Sequence, residues 1–176
     1  MTDQPAPPAG QFTLEQITAL FLDAARHGDL DLLAQFLDAG MDINATDSRG
    51  YTPLIVATYN GETEAARLLL ERGADPDLGD AKGATALSGV AFKGNERMAR
   101  LLLSFGAEVD RPNHAGRTPL MFAVMFGRYD MAKLLVEAGA NPDRPDSEGQ
   151  SPRSIAESQD RADLFPASGP ASGTAP

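Results

Sequence analysis

The sequence contains no cysteine, and this absence excludes disulfide bonds, thiol nucleophiles, thiolate zinc sites and iron–sulfur clusters. Tryptophan is also absent, and there are only 2 histidines, so the commonest general acid–base group is scarce. Lys and Arg number 15 against 25 Asp and Glu, and the net charge of −10 argues against nucleic-acid binding, which requires clustered cations. The composition therefore favours neither an enzyme nor a nucleic-acid-binding protein.

Long apolar runs are missing as well. No stretch approaches the roughly 18 apolar residues that a membrane-spanning helix requires. Residues 1–10 have neither a basic start nor an apolar core, which argues against a secretory leader. We therefore expect a cytoplasmic protein that does not associate with membranes.

What the sequence does contain is a repeat. The glycines at positions 50, 83, 116 and 149 are spaced 33 residues apart, and those at 40, 73, 106 and 139 keep the same period. Each glycine of the first series lies in a block similar to Asp-Ser-Arg-Gly-Tyr-Thr-Pro-Leu, the block at residues 47–54. Two glycine series in one register indicate a protein built from stacked repeat units.

Each unit predicts two helices. Thr52 and Thr118 are N-cap residues, each followed by proline at the first helical position, where the missing N–H costs nothing. Thr85 is the equivalent N-cap residue of the next unit but is not followed by proline, and Ser151 is an N-cap residue followed by Pro152. The second helix of each unit has apolar residues at i, i+1, i+4 and i+5, which form one stripe with charged residues outside it. The second glycine series then predicts a left-handed cap after this helix.

These features resemble the ankyrin repeat family, whose unit has about 33 residues, a β-turn, two antiparallel helices and a Thr-Pro-Leu opening. The resemblance covers roughly residues 14–160 and implies an all-α solenoid of stacked helix–turn–helix units with hairpin tips. The family's histidine after Thr-Pro-Leu is missing, because Ile55, Ser88 and Met121 stand in its place. The chain further resembles the short stand-alone ankyrin proteins of bacteria, some of which accompany a neighbouring enzyme, such as a catalase, or neutralise a toxin.

The repeat register predicts one ankyrin domain at residues 12–165 between two tails. We expect residues 1–11 to be flexible and residues 166–176, a low-complexity segment, to be disordered. Thr13 and Gln16 predict a capping box at the start of the first helix. The domain then consists of an N-terminal capping repeat, three full repeats and a polar C-terminal half-repeat with one helix, at residues 12–46, 47–79, 80–112, 113–145 and 146–165.

Few side chains suggest chemistry. His27 and His114 lie three repeats apart, too far for an acid–base pair or a shared metal ion. Asp75, Asp77 and Asp80 give one linker the acidic density of a calcium loop, but its order of glycine and acids does not match an EF-hand. We interpret these aspartates as turn residues, with divalent-cation binding as the alternative. The sequence has no phosphate-binding glycine loop, dinucleotide fingerprint or nucleophile elbow, so we predict no catalytic residue, metal ligand or cofactor.

The resemblance implies a partner-binding surface made of hairpin tips and first helices, since stacked repeats present an extended concave face. The tips carry one basic residue per repeat, and the first helices end in aromatic residues and methionine, all types enriched in interfaces. The ladder of Tyr59, Phe92, Met125 and Phe126 fits either an interface or packing between layers. The predicted partner-binding residues are Arg49, Tyr51, Tyr59, Asn60, Lys82, Phe92, Lys93, His114, Arg117, Met125 and Phe126.

We therefore predict a non-catalytic protein–protein interaction module that acts as an adaptor, inhibitor or accessory factor for another protein. A rigid repeat surface loses little ordering entropy on binding. We expect the chain to be a monomer. The alternative is a small-ligand or divalent-cation-responsive protein that uses the Asp-rich linkers, and an enzyme is the least supported class.

Overall fold

Nine α-helices follow one another in residues 12–165, the part of the chain that this computed structural model describes. The two expected tails, residues 1–11 and 166–176, lie outside the described residues. A 3₁₀ helix, Ala162–Leu164, follows the last α-helix. The α-helices are α1 (Leu14–His27), α2 (Leu30–Asp38), α3 (Pro53–Asn60), α4 (Thr63–Glu71), α5 (Ala86–Lys93), α6 (Glu96–Ser104), α7 (Pro119–Met125), α8 (Tyr129–Glu137) and α9 (Pro152–Ser158).

The first helices of successive units stack on one another and form the inner layer. Helix α3 packs between α1 and α5, and α7 packs between α5 and α9. The second helices form the outer layer, because each packs mainly against the first helix of its own unit. Apart from one isolated bridge between Gly79 and Thr85, the regular secondary structure of residues 12–165 is helical. The predicted all-α stack is therefore confirmed.

Equivalent apolar residues of each unit meet in one continuous core. The buried leucines in the first turns of α3, α5 and α7 are Leu54, Leu87 and Leu120. The paired apolar positions of the second helices, such as Leu69 and Leu102, are buried as well. Since each unit covers the apolar face of its neighbour, the core runs along the stack rather than around one centre.

The helix starts confirm the predicted caps. The hydroxyl groups of Thr52, Thr85 and Thr118 each accept a hydrogen bond from the N–H three residues later. Thr13 and Ser151 form capping boxes, each with the residue three positions later. These bonds satisfy N–H groups that have no acceptor inside the helix.

The C-terminal end of the stack differs from the sequence expectation. The half-repeat at residues 146–165 was expected to hold one helix, from 151 to 164, but α9 ends at Ser158 and a separate 3₁₀ turn follows. Asp160, with a φ of 58°, turns the chain out of the helix between them. At the N-terminal end, Leu14, Leu20 and Leu30 are exposed.

The linkers between units are joined by a polar ladder. Asn44 Oδ1 accepts a hydrogen bond of 3.1 Å from the N–H of Asp75, 31 positions later. Asp77 and Asp110, at the equivalent positions of the next two units, accept in the same way from the N–H 31 positions later. Each unit therefore provides an acceptor for a main-chain N–H of the unit that follows.

Thr118→Ala tests the contribution of a cap to the stack. Thr118 is fully buried at the start of α7, and the change leaves the N–H of Met121 without an acceptor. We expect the free energy of unfolding to fall by about 1–2 kcal/mol in urea denaturation. Thr118→Ser keeps the hydroxyl and should retain most of the stability, and Thr46→Ala, at an exposed site, is the matched control. An equal loss in both Thr118 variants would assign the effect to the methyl group instead of the cap.

Candidate functional site

One acidic or amide side chain holds each tip between units. Asp47 Oδ1 accepts hydrogen bonds from the N–H groups of Arg49 and Tyr51, at 2.9 and 3.0 Å. Adjacent tips are joined through the main chain, since the N–H of Ala81 donates to the carbonyl of Arg49 at 2.8 Å. The side chains that repeat the role of Asp47 in the following units are Asp80, Asn113 and Asp146.

The close approach of the tips explains the first glycine series. Gly50 has a φ of 77°, and a Cβ at this position would lie 2.6 Å from the main-chain nitrogen of Ala81. Gly83 and Gly116 share this φ and a similar close approach to the next tip. A side chain at these positions would therefore push successive units apart.

A groove of about 570 Å³ lies along the face formed by the tips and the first helices α3, α5 and α7. Its walls are mainly aliphatic and aromatic, and α1 and the first tips contribute polar side chains. The predicted partner-binding residues that line this groove are Arg49, Tyr51, Tyr59, Asn60, Phe92 and Phe126.

The aromatic ladder divides between the groove and the core. Tyr59 and Phe126 stand on the groove wall with 44% and 46% of their surface exposed. Phe92 is half-buried, and its ring centre lies 4.4 Å from that of Phe126 in an edge-to-face arrangement. Met125 is half-buried, packs against the core and does not line the groove. Tyr59, Phe92 and Phe126 therefore line the groove, whereas Met125 packs against the core.

The basic residues at the first two tips are exposed. Arg49 Nε lies 3.3 Å from Asp47 Oδ2, and the guanidinium lies 4.7 Å from the ring centre of Tyr51. Lys82 is exposed at the next tip and has no carboxylate within ion-pair distance among residues 12–165. Lys93 lies at the end of α5, where its Nζ is 4.0 Å from the ring centre of Tyr59.

Arg117 differs from the other two tip cations because it pairs with two carboxylates of the following unit. Its Nε lies 3.3 Å from Asp146 Oδ2, and a terminal nitrogen lies 3.4 Å from Glu148 Oε1. The Asp146 side chain is almost fully buried. Arg117 therefore joins the last full repeat to the C-terminal half-repeat.

The pKa of Asp146 lies below its ordinary value. Burial by itself raises this pKa, but the N–H groups of Gln150 and Glu148 and the guanidinium of Arg117 stabilise the anion and outweigh it. The pKa of Asp47 is lowered for the same reasons, since burial is opposed by two N–H groups and the guanidinium of Arg49. Both carboxylates are thus part of the tip structure in their charged form.

The histidines and the Asp-rich linker lie apart from the groove. His27 is exposed, with Nδ1 3.0 Å from the carbonyl of Asp23, and His114 is exposed at a tip beside a smaller depression of about 390 Å³. Asp75 and Asp77 accept main-chain N–H groups through their Oδ1 atoms. Within residues 12–165, no three His, Asp or Glu side chains are placed to hold a metal ion. No helix in the same residues is long and apolar enough to cross a membrane.

A family model of ankyrin repeats (three copies) matches residues 8–80 and 72–146. The chain belongs to the ankyrin repeat family. The ankyrin fold expected from the Thr-Pro-Leu blocks is therefore confirmed. Ankyrin repeats generally serve as protein–protein interaction modules and are typically non-catalytic. No curated protein sequence shows significant similarity to the chain.

Asp146→Asn tests the ion pair at the last ankyrin tip. Because the folded-state pKa of Asp146 lies below its unfolded value of about 4, the charge stabilises the fold above that pH. This stabilisation is lost as the pH falls through the folded-state pKa. The tip itself should persist in the variant, because Asn113 makes the same N–H bonds one repeat earlier.

We expect Asp146→Asn to lose less stability than the unchanged chain when the pH is lowered from about 6 to about 2. Urea denaturation at a series of pH values measures the difference. Asp31→Asn, at an exposed site in α2, is the control and should follow the unchanged chain. Parallel pH profiles for Asp146→Asn and the unchanged chain would contradict the assigned role.

Proposed function

We propose that the chain is a non-catalytic ankyrin module that binds another protein through the groove on its tip and first-helix face. The observation that carries the proposal is the exposure of Tyr59 and Phe126 on the wall of this groove. Aromatic side chains dominate many interfaces because they bury a large area for few rotatable bonds. Arg49 on the same surface adds a residue type that is enriched in interface cores.

The rigidity of the face supports this role. Hydrogen bonds between adjacent tips, such as that from the N–H of His114 to the carbonyl of Lys82, fix the spacing of the units before a partner binds. A surface that is already ordered pays less conformational entropy on association. The groove therefore suits a partner that adapts to a fixed shape.

The proposed contact surface extends beyond the groove lining. Lys82, Lys93 and His114 are exposed on the neighbouring tips and helix ends, and we include them as peripheral contacts. Arg117 and Met125 are left out, because their side chains make the contacts within the stack described above. Action on the partner as an adaptor, inhibitor or accessory factor, by a monomeric chain, is part of the proposal.

No observation favours the divalent-cation alternative. The aspartates of the linker at residues 75–80 already serve as acceptors for main-chain N–H groups, which is the role expected of turn residues. The interaction module is therefore the function we propose.

Tyr59→Ala and Phe126→Ala test the groove. Both side chains are nearly half exposed, so we expect each change to weaken partner binding by about tenfold or more with little change in melting temperature. Affinity capture from a lysate of the source organism, followed by quantitative mass spectrometry, identifies proteins that depend on these residues.

Phe105→Ala is the matched control for this capture. Phe105 is an aromatic residue with 37% exposure at the end of α6, and it does not line the groove. A groove partner should bind this variant as it binds the unchanged chain. Partners that bind all variants equally would place the interface elsewhere and contradict the proposal.

A further inference from the structure

The floor of the groove lacks a side chain where the neighbouring repeats have one. Gly89 lies in the middle of α5 and lines the groove. The equivalent positions, 33 residues before and after it, hold Val56 on α3 and Phe122 on α7. Both of these side chains also line the groove. Of these three repeats, the middle one is therefore the one without a side chain at this position.

Ser88, the residue before Gly89, deepens this difference. The equivalent positions hold Ile55 and Met121, so the middle repeat has the smallest residue at both positions. The Oγ of Ser88 lies 3.3 Å from Oγ1 of Thr85, a hydrogen-bond distance within the helix cap. Ser88 lines the groove but is itself buried, as is Met121 at the equivalent position of α7.

The backbone does not require glycine at position 89. Its φ is not in the left-handed region, and a Cβ would meet only Cδ2 of Tyr59, at 3.4 Å, which is an ordinary van der Waals distance. Glycine in a helix interior is destabilising relative to alanine, so this residue lowers the stability of α5. What it provides in return is space in the groove.

We name this space the Gly89 notch. Its floor is formed by Ser88 and Gly89, and its walls by Tyr59 on one side and by Phe122 and Phe126 on the other. The walls are aromatic, and the one hydroxyl of the floor lies at hydrogen-bond distance from Thr85 within the helix cap. The notch is therefore a mainly apolar recess, which favours a large apolar group over a charged one.

The rim of the groove is basic, although the chain carries a net charge of −10. Arg26 and Arg49 line the groove, and Lys93 lies over the ring of Tyr59 at its edge. Among the described lining residues, Asp80 is the acidic one, and its Oδ1 accepts two N–H groups of its own tip. The charges at this rim therefore complement an acidic partner.

These cations have capacity for a further carboxylate. Arg26 pairs with Asp23 at 2.7 Å and Arg49 with Asp47 at 3.3 Å, but the two arginine side chains are 42% and 66% exposed, and such surface pairs contribute little. A guanidinium also has five N–H donors, more than one carboxylate uses. Lys93 has no carboxylate within ion-pair distance among residues 12–165.

We propose that the Gly89 notch receives one large apolar side chain of a partner protein, an aromatic residue or leucine. The partner's neighbouring residues carry carboxylates that pair with Arg26, Arg49 and Lys93. This inference rests on the proposed function and specifies the chemistry of the partner. It assigns Gly89, a residue without a side chain, the role of setting specificity by leaving room.

Peptide selection tests this chemistry directly. Phage-displayed random dodecapeptides are selected on the full chain after depletion on the bare support, so that the selection itself does not favour dependence on Gly89. We expect the enriched peptides to share one Leu, Phe, Trp or Tyr close to Asp or Glu. A fluorescein-labelled peptide with the consensus sequence then serves as the probe in anisotropy titrations.

The notch is tested with two changes at Gly89. Gly89→Leu should weaken binding of the probe by about tenfold or more while the melting temperature stays at or above that of the unchanged chain, since leucine is a better helix former than glycine. Gly89→Ala is the small counterpart and should lose less affinity. Replacing the apolar residue of the probe with alanine should weaken its binding to the unchanged chain by a similar factor. The same peptide change should not weaken binding to Gly89→Leu any further, because the notch is already filled in that variant. This peptide series tests the notch even where Gly89→Leu does not fold.

The rim is tested separately. Arg49→Gln should weaken the acidic probe by about threefold to tenfold and reduce the salt dependence of its affinity. Arg100→Gln, at an exposed arginine on α6 outside the groove, is the matched control and should leave the affinity unchanged.

The inference is overturned by selected peptides that are basic, or by binders that are indifferent to Gly89→Leu. It is also overturned by a dimer in sedimentation velocity that Gly89→Leu abolishes, because the occupant would then be a second copy of the chain. A partner that is lost in Tyr59→Ala but bound normally by Gly89→Leu would leave the proposed function standing and remove the notch assignment. Partners that ignore both changes would contradict the proposed function itself.

Discussion

The contact on which the rest of the structure depends is the approach of one tip to the next. At 2.8 Å between the main-chain nitrogen of Ala81 and the carbonyl of Arg49, there is no room for a side chain on Gly50. The same contact fixes the spacing of α3 and α5, and hence the width of the groove between them. An ankyrin unit cannot bury its apolar face alone, so core, tips and groove all follow from this stacking.

The features that the sequence predicted well are those that depend on local geometry and on the period. The caps at Thr52 and Thr118 need only a hydroxyl before a helix start, and the tip glycines need only a turn that recurs every 33 residues. Arg117 could not be predicted in this way, because its partners Asp146 and Glu148 are 29 and 31 positions away. The period also does not divide the aromatic ladder, which the sequence left open between interface and layer packing. Met125 shares the repeat position of Tyr59 and Phe92 but packs against the core, whereas Phe126, one residue later, lines the groove.

The floor of the groove is where the repeats differ from one another. Most equivalent positions hold similar residues because each must pack on its neighbour, as the buried leucines at 54, 87 and 120 do. Positions 88 and 89 depart from this pattern, and the signal was present in the sequence as a Ser-Gly pair between Ile-Val and Met-Phe. Alignment of the units by their similarities hides such a pair. Comparison of the units by their differences would have found it.

The charged residues also fall into two groups, those that hold the stack together and those that are exposed on its surface. Many carboxylates are occupied by the stack itself: Asp47, Asp80 and Asp146 hold the tips, and Asp77 and Asp110 join the linkers. The cations at the groove rim stand on long, exposed side chains. A strongly acidic chain can therefore present a basic groove rim, and net charge alone does not describe the charge of one surface.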